Sequence, residues 1–146
     1  MNRGTAFKWV EALNNVKDDV KYNNSQIGFT IDKNGHKETY LSPIGVLCKF
    51  LDLKGFEQKT ILDFDGVTVS NLDWHGETFV LPESWRKKCK IKSQWMDIAL
   101  DKGNMQGLTG SFYDILDKIN PMYDNSKHSD MFKKAGDIIE SYYEQM

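Results

Sequence analysis

The sequence has little cysteine, no long apolar run and no excess of one charge, and each absence removes a class of protein. The two cysteines, Cys48 and Cys89, have no CxxC or Cys/His spacing, so neither a disulfide framework nor a structural zinc centre is indicated. No stretch approaches the roughly 18 apolar residues of a membrane span, and the N-terminus lacks the apolar core of a signal peptide. We therefore expect a cytoplasmic protein without a membrane partner.

The charges are nearly balanced, with 19 basic and 21 acidic residues and a formal net charge of −2. Non-specific binding to a phosphate backbone needs a basic excess, so this balance disfavours nucleic acid as the main partner. The histidines, His36, His75 and His128, lie in separate segments and form no HxxxH pair. The sequence also lacks a P-loop, a GxGxxG motif and a recognisable catalytic triad. We expect no metal site, no cofactor and no catalytic residues.

The length and composition of the chain fit one folded domain. A chain of 146 residues, 40% hydrophobic and 27% charged, can bury a core of its own, which predicts a single domain over residues 1–146. Apolar side chains three and four residues apart predict an amphipathic helix over 5–17, with Thr5 as its N-cap. The Asn34-Gly35 pair lies between two strand-like segments and predicts a β-hairpin with a type I′ turn.

The rest of the chain continues this alternation. Ser42-Pro43 predicts the start of a second helix, which we expect to end near Gly55. Short strands are predicted on both sides of Asp65-Gly66 and at 78–81, and residues 18–26 are predicted to be a loop. The remaining helices are predicted within 83–102, 111–119 and 131–143. We therefore expect an α+β fold, a small single domain in which amphipathic helices pack on a small antiparallel sheet or hairpins.

Four apolar segments together resemble a known group of proteins. They are Phe7-Lys-Trp-Val-Glu-Ala-Leu13, Ile44-Gly-Val-Leu-Cys48, Glu77-Thr-Phe-Val-Leu-Pro82 and Ala135-Gly-Asp-Ile-Ile-Glu140. In this order and at these separations they resemble a family of short, uncharacterised proteins encoded by tailed bacteriophages and prophages. The resemblance implies a phage product that acts inside a bacterial cell, and it carries over no catalytic residue.

A second resemblance is local. The segment Thr60-Ile-Leu-Asp63-Phe-Asp65-Gly-Val-Thr68 resembles the nucleophile motif of haloacid dehalogenases. In that chemistry the first aspartate attacks phosphorus, the second acts as acid or base, and Mg²⁺ neutralises the phosphate. One alternative function is therefore a Mg²⁺-dependent phosphatase-like enzyme that uses Asp63 and Asp65. We favour the competing interpretation, a tight turn at Asp65-Gly66 between short strands, because the later strands and lysine of that fold have no counterpart downstream.

Two stretches contain side chains that suit a ligand. In the segment 71–77, Trp74 could stack on a polar ligand and His75 could exchange hydrogen bonds with it, although a hairpin whose tryptophan packs on the rim of the core is the competing interpretation. The basic run 86–92 lies between two tryptophans, a combination that suits phosphates and bases, but such a run on a helix usually forms a solvated face. The ligand-binding candidates are Trp74, His75, Trp85, Arg86, Lys88 and Trp95.

Together these features favour a non-enzymatic, phage-encoded accessory protein of the host bacterial cytoplasm that works by binding. Its expected partner is a host protein or a small anionic metabolite such as a nucleotide, and antagonism of host defence is one version of this hypothesis. Two alternatives stay open. They are the phosphatase-like enzyme that uses Asp63 and Asp65, and a nucleic-acid-contact protein that uses residues 85–95.

Overall fold

The computed structural model describes residues 1–100, 108–119 and 127–146. In these ranges the chain alternates helices and strands. The helices are α1 (Arg3–Asn14), α2 (Pro43–Leu51), α3 (Glu83–Cys89), α4 (Phe112–Ile119) and α5 (His128–Tyr142), with a 3₁₀ turn at Leu53–Gly55. The strands are β1 (Val20–Tyr22), β2 (Gly28–Lys33), β3 (His36–Leu41), β4 (Phe56–Phe64), β5 (Val67–Trp74), β6 (Ile98–Leu100) and β7 (Leu108–Gly110). No helix in these ranges is long and apolar enough to cross a membrane.

Five strands form one sheet in the order β1-β3-β2-β5-β4, and β6 pairs with β7 in a second, two-stranded sheet. The predicted hairpin is confirmed, since Asn34 and Gly35 both have positive φ, at 54° and 89°, as a type I′ turn requires. Asp65 and Gly66 join β4 to β5 with φ angles of 53° and 78°. All pairings in the larger sheet are antiparallel except that of β1 with β3. The α+β prediction is confirmed, with β1 as a parallel addition.

The core is formed by the helices and by one end of the larger sheet, where Tyr22, Leu41 and Trp74 end β1, β3 and β5. Helix α1 packs against both α2 and α5, and α5 also contacts β1. The largest fully buried side chains are Trp9, Trp74, Phe112, Phe132, Leu13, Ile27, Ile44, Leu47, Leu81, Ile115, Leu116 and Ile139. The indole Nε1 of Trp9 donates to the carbonyl of Pro43 at 2.7 Å, which ties α1 to the first turn of α2.

The outer edge of the larger sheet is β4, and most of its side chains are exposed. Phe64 is 75% exposed, and Ile61 and Leu62 are also largely exposed. The pairing of β4 with β5 shifts between Thr60 and Leu62, where an extra residue is accommodated. Such a bulge breaks the regular row of edge hydrogen-bonding groups, a common way to hinder pairing with another strand.

Predicted boundaries are wrong at several helix ends, among them the end of α1, which lies at Asn14 and not at residue 17. Helix α1 begins at Arg3 and not after Thr5, because the side chain of Asn2 accepts the Thr5 N–H at 2.8 Å and caps the helix three residues before Thr5. Helix α3 ends at Cys89, since Lys90 adopts a left-handed conformation with φ 55°. The segment 98–100, which was expected to be helical, is strand β6.

Two predicted segment types are also wrong. Residues 78–81 form no strand, and Val80 and Leu81 are buried in an irregular segment that follows an isolated bridge between Trp74 and Glu77. The predicted loop 18–26 contains β1, which exists because β3 supplies its hydrogen-bonding partners. The sequence also predicts a glycine-rich connection after residue 102 and a polar stretch over 121–129. Residues 103–107 of the first and 121–126 of the second lie outside the described residues.

Candidate functional site

Four of the six predicted binding residues lie together where β5 ends and α3 passes. The ring centroids of Trp74 and Trp85 are 5.0 Å apart, and those of His75 and Trp85 are 5.4 Å apart. The ammonium of Lys88 lies 4.3 Å from the centroid of the Trp85 ring, within cation–π range. Trp74 is fully buried, however, so its ring packs in the core and has no exposed face to offer a ligand.

Asp52 holds this aromatic cluster in place from the end of α2. Its carbonyl accepts the indole N–H of Trp74 at 2.8 Å, and its carboxylate lies 2.9 Å from Nε2 of His75. Gly55 leaves the room that this arrangement needs, because a Cβ there would run into the imidazole of His75 and the indole of Trp74. The indole N–H of Trp74 and Nε2 of His75 are therefore both occupied by Asp52, which agrees with a structural role for this segment.

Several cations of the basic run are engaged by the protein itself. The guanidinium of Arg86 donates to the carbonyl of Leu81, and Lys87 forms a salt bridge with Glu83 at 3.2 Å. Further along, the ammonium of Lys92 donates to the carbonyl of Glu144 at 2.6 Å. The Arg86 and Lys92 contacts tie α3 and the segment after it to the rest of the chain, whereas the Lys87–Glu83 pair lies within α3. Lys88, over the ring of Trp85, is the part of the run that joins a basic and an aromatic group.

Trp95 lies apart from that cluster, at a cavity of about 810 Å³. The cavity is bounded by the Asn24-Ser25 segment, the segments next to β6 and β7, and the first turns of α4. Trp95 and Phe79 line it and are about half exposed, and Tyr113 lines it as well. The volume falls within the range of roughly 300–1,000 Å³ that small-molecule sites occupy.

Three carboxylates line the same cavity, from Asp97, Asp114 and Asp117. Among the lining residues that the structure describes there is no lysine or arginine, and none of the three aspartates forms a salt bridge within the described ranges. These aspartates do not converge closely enough to form a metal-binding group in the described part of the chain. The described part of the lining therefore presents three carboxylates around aromatic side chains, with no basic side chain among them.

Neutral hydrogen bonds hold two of these carboxylates in position. Asp117 accepts a hydrogen bond at 2.9 Å from the side-chain amide of Asn24, which is buried. Asp114 and Ser111 form a capping box at the start of α4, in which each backbone N–H donates to the other's side chain, at 3.2 and 3.3 Å. Because the donors are an amide and backbone groups, the carboxylates are oriented without being neutralised.

Tyr113 closes one side of the cavity with a neutral hydroxyl. Its phenol donates to the carbonyl of Phe79 at 3.0 Å, which fixes the irregular segment after β5 against α4. Burial raises the pKa of the Tyr113 phenol well above its ordinary value. The phenol therefore keeps its proton and adds no further negative charge to the lining.

The Asp63–Asp65 motif lies in a hairpin. Asp63 is on the exposed edge strand β4 and accepts a hydrogen bond from the hydroxyl of Thr68 at 3.1 Å. Asp65 is the first turn residue, so the tight-turn interpretation is confirmed. Within the described ranges no third acidic, histidine or cysteine side chain joins these two as a metal-binding group. An antiparallel strand follows the motif, whereas the dehalogenase chemistry needs a strand of a parallel sheet.

Sequence reasoning found Trp95 but missed the rest of its cavity, because the lining comes from four separate segments. The available pattern was local: Ser111 followed three residues later by Asp114 is a capping box, and Asp117 lies one helical turn further on the same face. No pattern in the sequence brings residue 24 or 79 to this helix. Comparison of the chain with protein-family models, with curated proteins and with solved structures finds no match.

Proposed function

We propose that this chain is a non-enzymatic binding protein whose cavity at Trp95 takes a cationic group, an ammonium or a guanidinium. The observation that supports this is the set of three aspartates around a half-exposed indole, with no lysine or arginine among the described lining residues. A cation gains from carboxylates and from an aromatic ring face, and both gains grow where water is partly excluded. An anion would meet three negative charges in the same space.

The cation has two sources with the same chemistry, a free polyamine or a lysine or arginine side chain on a partner protein. The second source agrees with the resemblance to phage and prophage proteins. In that version a phage-encoded accessory protein in the bacterial cytoplasm captures a basic side chain of a host protein, and antagonism of a host defence would be its purpose. An open cavity with aromatic rims suits a side chain that projects from a larger partner.

Fluorescence can test the cation site directly, because Trp95 is a lining residue. In a Trp85→Phe background, spermidine and agmatine should change the fluorescence in a saturable way, while a neutral diol of similar length should not. Asp97→Asn and Asp117→Asn should each weaken binding about tenfold, since each removes one charged contact. The matched control is Asp137→Asn, which changes an exposed carboxylate on α5 away from the lining.

A second arm separates the two sources of the cation. Host proteins captured by the unchanged chain and lost with Asp97→Asn/Asp117→Asn would assign the site to a partner's basic side chain. Saturable amine binding without any such protein would assign it to a free polyamine. Equal binding of the neutral diol, or amine binding that both asparagine variants leave unchanged, would contradict the proposal.

One observation favours a second candidate, an anionic ligand such as a nucleotide or a nucleic-acid end at the outer side of α3. It is the position of Lys88 over the ring of Trp85, which combines a phosphate-binding group with a stacking surface. Binding of a nucleotide that falls steeply with salt and is lost in Lys88→Gln would support this candidate. Binding that is absent at low salt would remove it.

A further inference from the structure

A second concave surface, the groove between α1 and α2, has the opposite chemistry to the cavity at Trp95. Its volume is about 340 Å³. Its floor is made of aliphatic and aromatic side chains from α1, the segment that follows α1, β1, β3 and α2. They are Ala12, Val16, Val20, Leu41, Val46 and Phe50. Phe50 is 41% exposed, so the groove presents apolar surface that the described chain does not cover.

Lysines surround this apolar floor. Lys17 and Lys49 line the groove itself, and Lys8 lines an adjoining depression that shares Ala12 and Phe50 with it. The ammonium of Lys8 lies 5.9 Å from the centroid of the Phe50 ring. In the described ranges none of these three lysines forms a salt bridge.

One acidic residue, Glu11, is found among the described residues that line the groove and its adjoining depression. It lies in the depression, which Lys8 also lines. The groove and its adjoining depression thus carry three positive charges against one negative charge. An exposed apolar floor with a basic rim is complementary to a ligand that combines an apolar body with an anionic head. A cationic or purely polar ligand would match only one half of that surface.

We propose that this groove binds a linear alkyl carboxylate of about ten carbons. Its volume of about 340 Å³ has room for roughly eleven groups of the size of a water molecule, at about 30 Å³ each. The chain lies on the floor formed by Val16, Val46 and Phe50, and the carboxylate meets the ammonium groups of Lys17 and Lys49. An alkyl chain leaves no polar group unpaired on such a floor, whereas a peptide would place its backbone N–H and C=O groups there without partners. The described linings of this groove and of the cavity at Trp95 share no residue, so the two proposals can be tested independently of each other.

Calorimetric titration with monomeric ligands tests the proposal on the full chain. Decanoate should bind with saturation, and its dissociation constant should be about 16-fold lower than that of octanoate, or about fourfold for each buried methylene. Decanol should bind severalfold more weakly, since it lacks the contacts with lysine. Decyltrimethylammonium, which has the same chain and the opposite charge, should bind more weakly still.

Variants locate the binding in the groove. Lys17→Gln/Lys49→Gln should weaken decanoate binding severalfold and remove the preference for decanoate over decanol. The matched control, Lys33→Gln/Lys37→Gln, removes two exposed lysines near the tip of the β2–β3 hairpin and should change nothing. All four positions are exposed, so both variants should keep the unfolding temperature of the parent.

Three results would overturn the proposal. The first is no heat of binding with decanoate below its micelle concentration. The second is equal affinity for decanoate and decyltrimethylammonium. The third is binding to anionic vesicles that monomeric decanoate does not compete, which would assign the basic rim to a membrane surface.

Discussion

The backbone N–H of Tyr22 donates to Nδ1 of His128 at 2.9 Å, a contact between β1 and the first residue of α5 that joins positions 106 residues apart. Only the neutral imidazole can accept this hydrogen bond. Burial and then the nearby charge of Lys21 lower the pKa of His128 below its ordinary value of 6.5. The fold therefore prefers the uncharged form of this side chain.

Because of His128, we expect the free energy of unfolding to decrease as the pH is lowered below about 6.5. Above that pH the imidazole is neutral in both the folded and the unfolded chain, so the hydrogen bond contributes its full stabilisation. As the pH falls, the unfolded chain takes up the proton first, and stability declines until the lowered pKa of the folded state is passed. Denaturant titrations between about pH 7.5 and about pH 5.5 would measure this loss.

His128→Asn separates this effect from other titrations, because asparagine keeps an acceptor near the Nδ1 position and has no proton to gain. The variant should lose less stability than the parent over the same pH range. His36→Asn, at the exposed start of β3, should follow the parent. Parallel declines for the parent and His128→Asn would contradict the assignment.

The second prediction concerns two helical glycines with opposite surroundings. A Cβ at Gly45 would run into the backbone carbonyl of Ile27, so we expect Gly45→Ala to destabilise the fold by about 2 kcal/mol. Gly4 is an exposed position in the first turn of α1, where a Cβ would meet only the side-chain oxygen of Asn2 at 3.7 Å. Gly4→Ala should therefore stabilise the fold by about 0.5–1 kcal/mol through helix propensity. Thermal unfolding of both variants checks the sign of each change, and a loss of stability in Gly4→Ala would refute the packing described for α1.

The third prediction compares two tryptophans. Trp9 is fully buried, and its indole N–H donates to the carbonyl of Pro43. Its ring centroid lies 5.5 Å from that of Phe112. Trp9→Phe removes that donor and leaves a void, so the free energy of unfolding should fall by about 3 kcal/mol. Trp95→Phe changes a half-exposed ring and should cost less than about 0.5 kcal/mol. Urea midpoints with unchanged slopes would measure both differences, and similar costs at the two positions would show that the burial of Trp9 is misassigned.

Local chemistry explains which parts of this fold the sequence could predict. The turn at Asn34-Gly35 needs two positive φ angles, and the start of α2 needs the hydroxyl of Ser42, which accepts the N–H of Gly45 at 3.0 Å. Both requirements are visible in adjacent residues. Strand β1 depends on β3 and on His128, and the cavity at Trp95 depends on four distant segments, so no local pattern could reveal either. A fully buried Trp74 was equally hard to foresee, because the loop motif around it has the composition of an exposed site.

The last prediction concerns the dehalogenase-like motif. Asp63 is exposed, and its carboxylate accepts a hydrogen bond from the hydroxyl of Thr68, so Asp63→Asn should change the free energy of unfolding by less than about 0.5 kcal/mol. Asp65→Asn should be equally mild, because asparagine readily adopts the positive φ of 53° found there, whereas Asp65→Val should destabilise the turn. With p-nitrophenyl phosphate and Mg²⁺, the unchanged chain should hydrolyse no faster than Asp63→Asn. Hydrolysis that needs Mg²⁺ and disappears in Asp63→Asn, with the fold intact, would replace the turn assignment with a catalytic one.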